Sequence, residues 1–248
     1  HLQRQLTQPR RAVLQLRWLG ADHQPRQAGV ALFRRVDLAG DPAAALPGFA
    51  SHLTTWQYRP GAEVTAGYSV AYPDPSGRMV HDELFVTTAG VPAPATLSRD
   101  GLDFAVWRHP GDPLLPGLAP ACDPTTVMGW LHTSPNDFDL TLLGYRPLRR
   151  AVLRATADDD LTYLKVLRPE RADRLAVRQE LLADAGLTPP LRARPAPGVL
   201  VTPAASGRSL AHVLASPGDP ELPTPDDLVA LLDELPQPLL DLPRRPAW

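Results

Sequence analysis

The first half of the chain alternates apolar and polar positions in short runs, and turn residues break them. Thr54 to Ala71 contains a turn at Pro60-Gly61, followed by alternating residues rich in β-formers, the pattern of a strand. Tyr72-Pro73-Asp74-Pro75-Ser76-Gly77 is a second turn cluster, and Arg78 to Thr88 returns as the partner strand of an antiparallel hairpin. Phe104 to Arg108 reads as another short strand, as do Ala12 to Leu19 and Gly29 to Leu38. Asp123-Pro124 caps and opens a helix over Thr125 to His132. The polar, turn-rich stretch Ser134 to Asp139 then marks a subdomain boundary.

Beyond it the pattern changes. Asp139 to Leu143 predicts a strand, Gly144-Tyr145-Arg146-Pro147 a turn, Arg149 to Thr156 a strand, and Leu161 to Arg168 a third, after an acidic turn at Asp158-Asp159-Asp160. Glu170 to Ala185 is the clearest helix, with Pro169 at its start and Gly186 after its end. Leu175, Ala176, Gln179, Leu182 and Ala185 fall along one side, with Glu180 close to it. Leu191 to Arg194 reads as a short strand, and Gly198 to Pro203 as an apolar strand stopped by proline. Helices follow over Gly207 to Leu214 and Asp226 to Glu234, then a proline-rich tail.

Composition narrows the picture. The 248 residues suffice for one large or two smaller domains. A net charge of −2 gives no bulk electrostatic reason to expect nucleic acid or a membrane as partner, and no apolar run approaches the ~18–20 residues of a membrane span. The opening His-Leu-Gln-Arg-Gln-Leu lacks the pattern of a signal peptide, so a cytoplasmic location is expected. One cysteine, Cys122, leaves no partner for an internal disulfide and reads as a small apolar residue. Thirty prolines stiffen the connections. Of 25 basic residues other than histidine, only Lys165 is lysine. Lysine is a compact point charge where arginine is a planar fork, so a lone lysine in an arginine-rich chain is a candidate for a specific charge contact.

The predicted order of strands and helix places Lys165 on the third strand and Glu180 on the helix that follows. A lysine aimed at nucleotide phosphates must be held still, and a helix carboxylate accepting one of its hydrogen bonds would do that. The runs Leu143 to Arg154, Tyr163-Leu164-Lys165-Val166, Glu180, Leu200-Val201-Thr202-Pro203 and Gly207-Arg208-Ser209-Leu210 resemble the aminoglycoside phosphotransferase family. That family includes choline kinases and maltokinases and shares the protein-kinase-like fold. The resemblance covers about seventy residues, Leu140 to Leu210. It implies an α+β chain with three parts: an antiparallel-sheet cap subdomain over 1–138, a kinase-like small lobe over 139–215 with a five-stranded curled sheet and one helix, and a linker with the start of a helical lobe over 216–248. It further implies an ATP- or GTP-dependent phosphotransferase acting on a hydroxyl of a sugar, aminoglycoside or similar small-molecule acceptor, with Mg2+ held by residues of the helical lobe. By the same resemblance Lys165 contacts the α- and β-phosphates and Glu180 orients it. Thr202, Pro203 and Ala204 form the hinge that meets the adenine edge, and Gly144 to Arg149 form the turn over the phosphates.

The chain departs from the family in two respects. Gly144 has no second or third glycine near it, and no His-Gly-Asp catalytic loop follows Gly207; His81-Asp82 and His132 to Asp137 precede the lysine. A truncated phosphotransferase chain is therefore expected, with a non-catalytic kinase-like module for nucleotide or a protein partner as the alternative. Simpler readings stand beside these. Lys165 with Glu180 would otherwise be an exposed ion pair worth ~0–1 kcal/mol. Trp56, Tyr58, Tyr68 and Tyr72 read as half-buried sheet residues. His52, His81 and His109 would bind metal only if the fold gathered them.

Overall fold

The computed structural model describes residues 50–215 and 223–243 apart from positions 60, 61, 75, 100, 101, 135, 136 and 159, together with two short strands, β1 (Gln15–Leu16) and β2 (Val36–Asp37), which pair antiparallel. Those pairs fall inside the expected strands 12–19 and 29–38; the rest of both segments lies outside the described residues. The chain is α+β and divides into two compact units, His1–Ala119 and Pro120–Trp248. Among the described residues no helix is long and apolar enough to cross a membrane.

The first unit contains β3 (Ala50–Arg59), β4 (Glu63–Pro73), β5 (Met79–Thr87), β6 (Ala95–Arg99) and β7 (Leu102–Arg108). They form one antiparallel sheet in the order β3-β4-β5-β7-β6. The expected hairpin is thus the centre of a larger sheet. Alternation along β4 sends Val64, Ala66, Tyr68 and Val70 to one face, where they pack with Leu84, Val86, Phe104 and Val106. The other face buries Phe85 stacked on Trp107 at 5.7 Å between ring centres. Gly67 makes room for that stack, because a Cβ there would lie 2.5 Å from the Phe85 ring. Thr65 and Thr87, both buried, satisfy each other's hydroxyls at 2.8 Å.

The second unit holds a four-stranded antiparallel sheet built from β8 (Phe138–Arg146), β9 (Arg150–Ala157), β10 (Asp160–Leu167) and β11 (Val199–Pro203), in the order β11-β10-β9-β8. The fifth strand expected at 191–194 is reduced to a single bridge, Ala193 to Val201, on the far edge of β11. Pro189, Pro190, Pro195 and Pro197 flank it, and residues without an N–H cannot extend a ladder. Between β10 and β11 runs α3 (Pro169–Asp184), whose Ala172 and Ala176 pack on Leu200, with Leu167, Leu175 and Leu191 around them. The opposite sheet face buries Ala151, Leu153, Leu164, Val166, Val199 and Val201.

Short helices complete the description. α1 (Leu118–Ala121) carries the chain from one unit into the next. α2 (Pro124–Leu131) is capped as expected by the Asp123 carboxylate, which accepts from Thr126 N–H at 2.9 Å. The boundary at 119/120 places α2 with the second unit. Toward the C-terminus come α4 (Leu210–Leu214), α5 (Pro225–Asp233), opened by a Thr224/Asp227 capping box, and α6 (Gln237–Leu240).

Candidate functional site

Lys165 lies in the middle of β10, with Val152 of β9 and Leu200 of β11 as its cross-strand partners. Directly opposite residues of an antiparallel pair point to the same face, and Leu200 is packed under α3. Lys165 therefore emerges on the helix-bearing face of the sheet, and it is half-buried. Leu164 and Val166 point the other way and are fully buried. The strand is thus anchored from below while the ammonium stands above it.

Its expected carboxylate partner is not in place. Among the described residues no carboxylate lies within 4.0 Å of the Lys165 ammonium. Glu180 is exposed, and the helix period explains why. The buried line of α3 is Ala172, Ala176 and Gln179. Asp173, Val177, Glu180 and Asp184 sit one step of about 100° round from it and face outward. Gln179, whose side chain turns inward, donates to Pro189 O at 3.2 Å.

The hinge residues are bound into the sheet. Thr202 pairs with Tyr163 and Pro203 with Thr162, and Ala204 N–H donates to Leu161 O at 2.9 Å. Thr202 is buried, its hydroxyl turned back to Tyr163 O at 3.5 Å. The ladder thus runs through Pro203, and the chain leaves it only beyond Ala204.

Gly144 is not in a turn. β8 continues through it to Arg146, with a register shift between Leu142 and Gly144 that leaves Leu143 as the extra residue of a bulge. The turn falls at Pro147, Leu148 and Arg149, closed by Arg149 N–H donating to Arg146 O at 3.0 Å. Proline in the second position and φ of +62° at Leu148 in the third give the pattern of a type II turn without its usual glycine. The Leu148 side chain is buried, and its carbonyl accepts from Arg168 Nε at 2.8 Å, just before α3.

The sequence places Arg146 in the turn over the phosphates only through the resemblance, and does not single out Arg150 or Arg154, the other cations of this face. Alternation along β9 puts Arg150 and Arg154 beside Val152 on the Lys165 side, and Arg146 of β8 pairs directly with Arg150. Arg154 Nη2 reaches Thr141 Oγ1 at 3.5 Å and Asp139 Oδ2 at 3.9 Å, while its Nε is buried without a hydrogen bond. Nothing in an arginine-rich sequence singles these out; only the register does.

The remaining candidates are scattered. Trp56 and Tyr58 are exposed on β3, Tyr68 is buried, and Tyr72 donates to Asp82 Oδ2 at 2.6 Å, with Arg108 Nη2 on the other oxygen at 2.6 Å. That contact and burial, burial first, raise the Tyr72 hydroxyl above its usual range. His109 is pushed down by burial. His52, His81 and His109 stand at separate places in the sheet, and among the described residues no three His, Cys, Asp or Glu side chains gather around a metal-sized site. Burial pushes the Cys122 thiol up to about 11, as suits a packed residue and not a nucleophile. No family model, curated protein or solved structure matches this chain.

Proposed function

We propose that the second unit is the nucleotide-binding lobe of an ATP- or GTP-dependent phosphotransferase acting on a small hydroxylated acceptor. One observation carries the reading: Lys165 stands half-buried at the centre of the sheet, on the face bordered by α3, with no carboxylate neutralising it among the described residues. An ammonium in that position is available to a phosphate chain lying along the sheet. The strand order supports it, since three antiparallel strands in series, a helix, a bridge and a last strand beside the third are what the resemblance leads one to expect of a kinase-like small lobe. Glu180 sits on a flank of α3, and in this reading a modest rotation of the helix on a bound nucleotide brings its carboxylate toward the ammonium. The nucleotide supplies the transferable phosphoryl group. The residues of this chain hold and orient it, and the resemblance assigns the metal ligands to the helical lobe.

Thermal unfolding with and without Mg·ATP or Mg·GTP tests this. Saturation at about a hundred times Kd adds ~2.7 kcal/mol of stability, a shift of several degrees, and Lys165→Ala is expected to remove most of it. No shift in the parent protein at millimolar nucleotide would refute the proposal.

A second reading, a kinase-like module that docks another protein, draws on α5, whose Leu228, Val229, Leu231 and Leu232 are all exposed. A rise in the parent's melting temperature with Mg·ATP or Mg·GTP that Lys165→Ala removes would decide against it.

A further inference from the structure

We propose that Arg146 and Arg150 hold the terminal phosphates of the bound nucleotide, in place of the backbone amides that a glycine-rich turn would offer. This rests on the reading of Lys165 given above. Arg146 and Arg150 are direct partners at the mouth of the β8–β9 hairpin. Residues so placed have Cβ atoms ~4.5–5.5 Å apart, and like charges there repel. Both are exposed, and among the described residues neither has a carboxylate within 4.0 Å. A like-charged pair without counter-charge is a standing cost that a bound anion would remove.

The pair shares its face with Lys165. Arg146 lies opposite Arg150, and two residues further along each strand Gly144 lies opposite Val152, itself opposite Lys165. Arg150 is therefore a diagonal neighbour of Lys165, at the ~7–8 Å typical of such positions. Gly144, two residues from Arg146 on the same strand and across Val152 from Lys165, has no side chain, and a Cβ built there meets nothing within 4 Å, so the space above it is open. Three cations on one sheet face, with open space beside Arg146, suit a chain of several negative charges.

The turn itself has little to give. Pro147 has no N–H, and Arg149 N–H is already spent on Arg146 O. The anion must be met by side chains, and guanidinium forks suit phosphate oxygens in pairs. The anchors supply rigidity: Leu148 is buried and its carbonyl is held by Arg168, so the strand ends bearing both arginines are fixed.

Calorimetric titration of the full chain with Mg·ATP, inorganic tripolyphosphate and AMP tests the assignment, with Arg146→Ala/Arg150→Ala compared against Lys165→Ala and against Arg174→Ala, a control on the exposed side of α3. The double variant is expected to bind Mg·ATP and tripolyphosphate at least tenfold more weakly and AMP less than twofold more weakly. Its unliganded melting temperature at low salt is expected not to fall, which a merely structural role would not allow. Unchanged Mg·ATP affinity in the double variant, with Lys165→Ala still damaging, overturns this inference and leaves the nucleotide reading standing. Parent protein that binds none of the three ligands overturns both. Tripolyphosphate binding without Mg·ATP binding marks a general anion patch and also overturns the assignment.

Discussion

Gly198 has φ of +82°, and a Cβ at its position would lie 2.2 Å from the Leu167 carbonyl oxygen. Its own carbonyl accepts from Leu167 N–H at 2.8 Å, so the backbone cannot retreat without losing the start of the β10–β11 ladder. Gly198→Ala is expected to cost ~2–4 kcal/mol, combining left-handed strain with a main-chain clash; denaturant unfolding of the two proteins measures it. At this scale the sequence was legible only where a residue type was scarce. Lys165 stood out because it is the one lysine of the chain. Arg150 did not, and Arg146 entered only as part of the turn segment 144–149, since one arginine among many carries little signal until strand register shows which face it shares. For Glu180 the helix period gives a place beside the inward line through Ala176 and Gln179, and the side chain is exposed there; the period alone does not show whether a carboxylate on that flank reaches the ammonium.

Elements with punctuation at both ends were readable nearly to the residue. α3 begins at Pro169 and stops before Gly186, and α5 begins after Thr224 and stops before Pro236. β8 was drawn too short because Gly-Tyr-Arg-Pro has the composition of a turn. Glycine has a second meaning at a bulge, and the structure uses that one. β6 was missed because Pro92 and Pro94 make Ala95 to Arg99 look like loop, although a proline before an edge strand removes no ladder bond. Small residues set the spacing of α3 from the sheet: Ala172 and Ala176 are both essentially inaccessible and touch Leu200. Ala176→Leu therefore forces the helix outward, at an expected cost of ~1–3 kcal/mol. Unfolding in urea and loss of amide protection along 199–201 would report it.

For the molecule as a whole, a net charge of −2 conceals an uneven distribution, with Arg146, Arg150, Arg154 and Lys165 collected on one sheet face. The α+β class and the succession of strands were legible from alternation and turn residues. The five-stranded sheet of the first unit was only half foreseen, because pairing between strands distant in sequence leaves no local mark. The bulge at Leu143 has a consequence for how copies of the protein behave together. Among the described residues β8 ends its sheet, and it carries Leu142 and Leu143 in the open. An irregular border gives a passing chain no even row of donors and acceptors to zip onto. Removing Leu143 would straighten that border while leaving residues 138–142 opposite their present partners, so the deletion variant is expected to form sedimenting, dye-binding polymers under conditions where the parent stays dispersed.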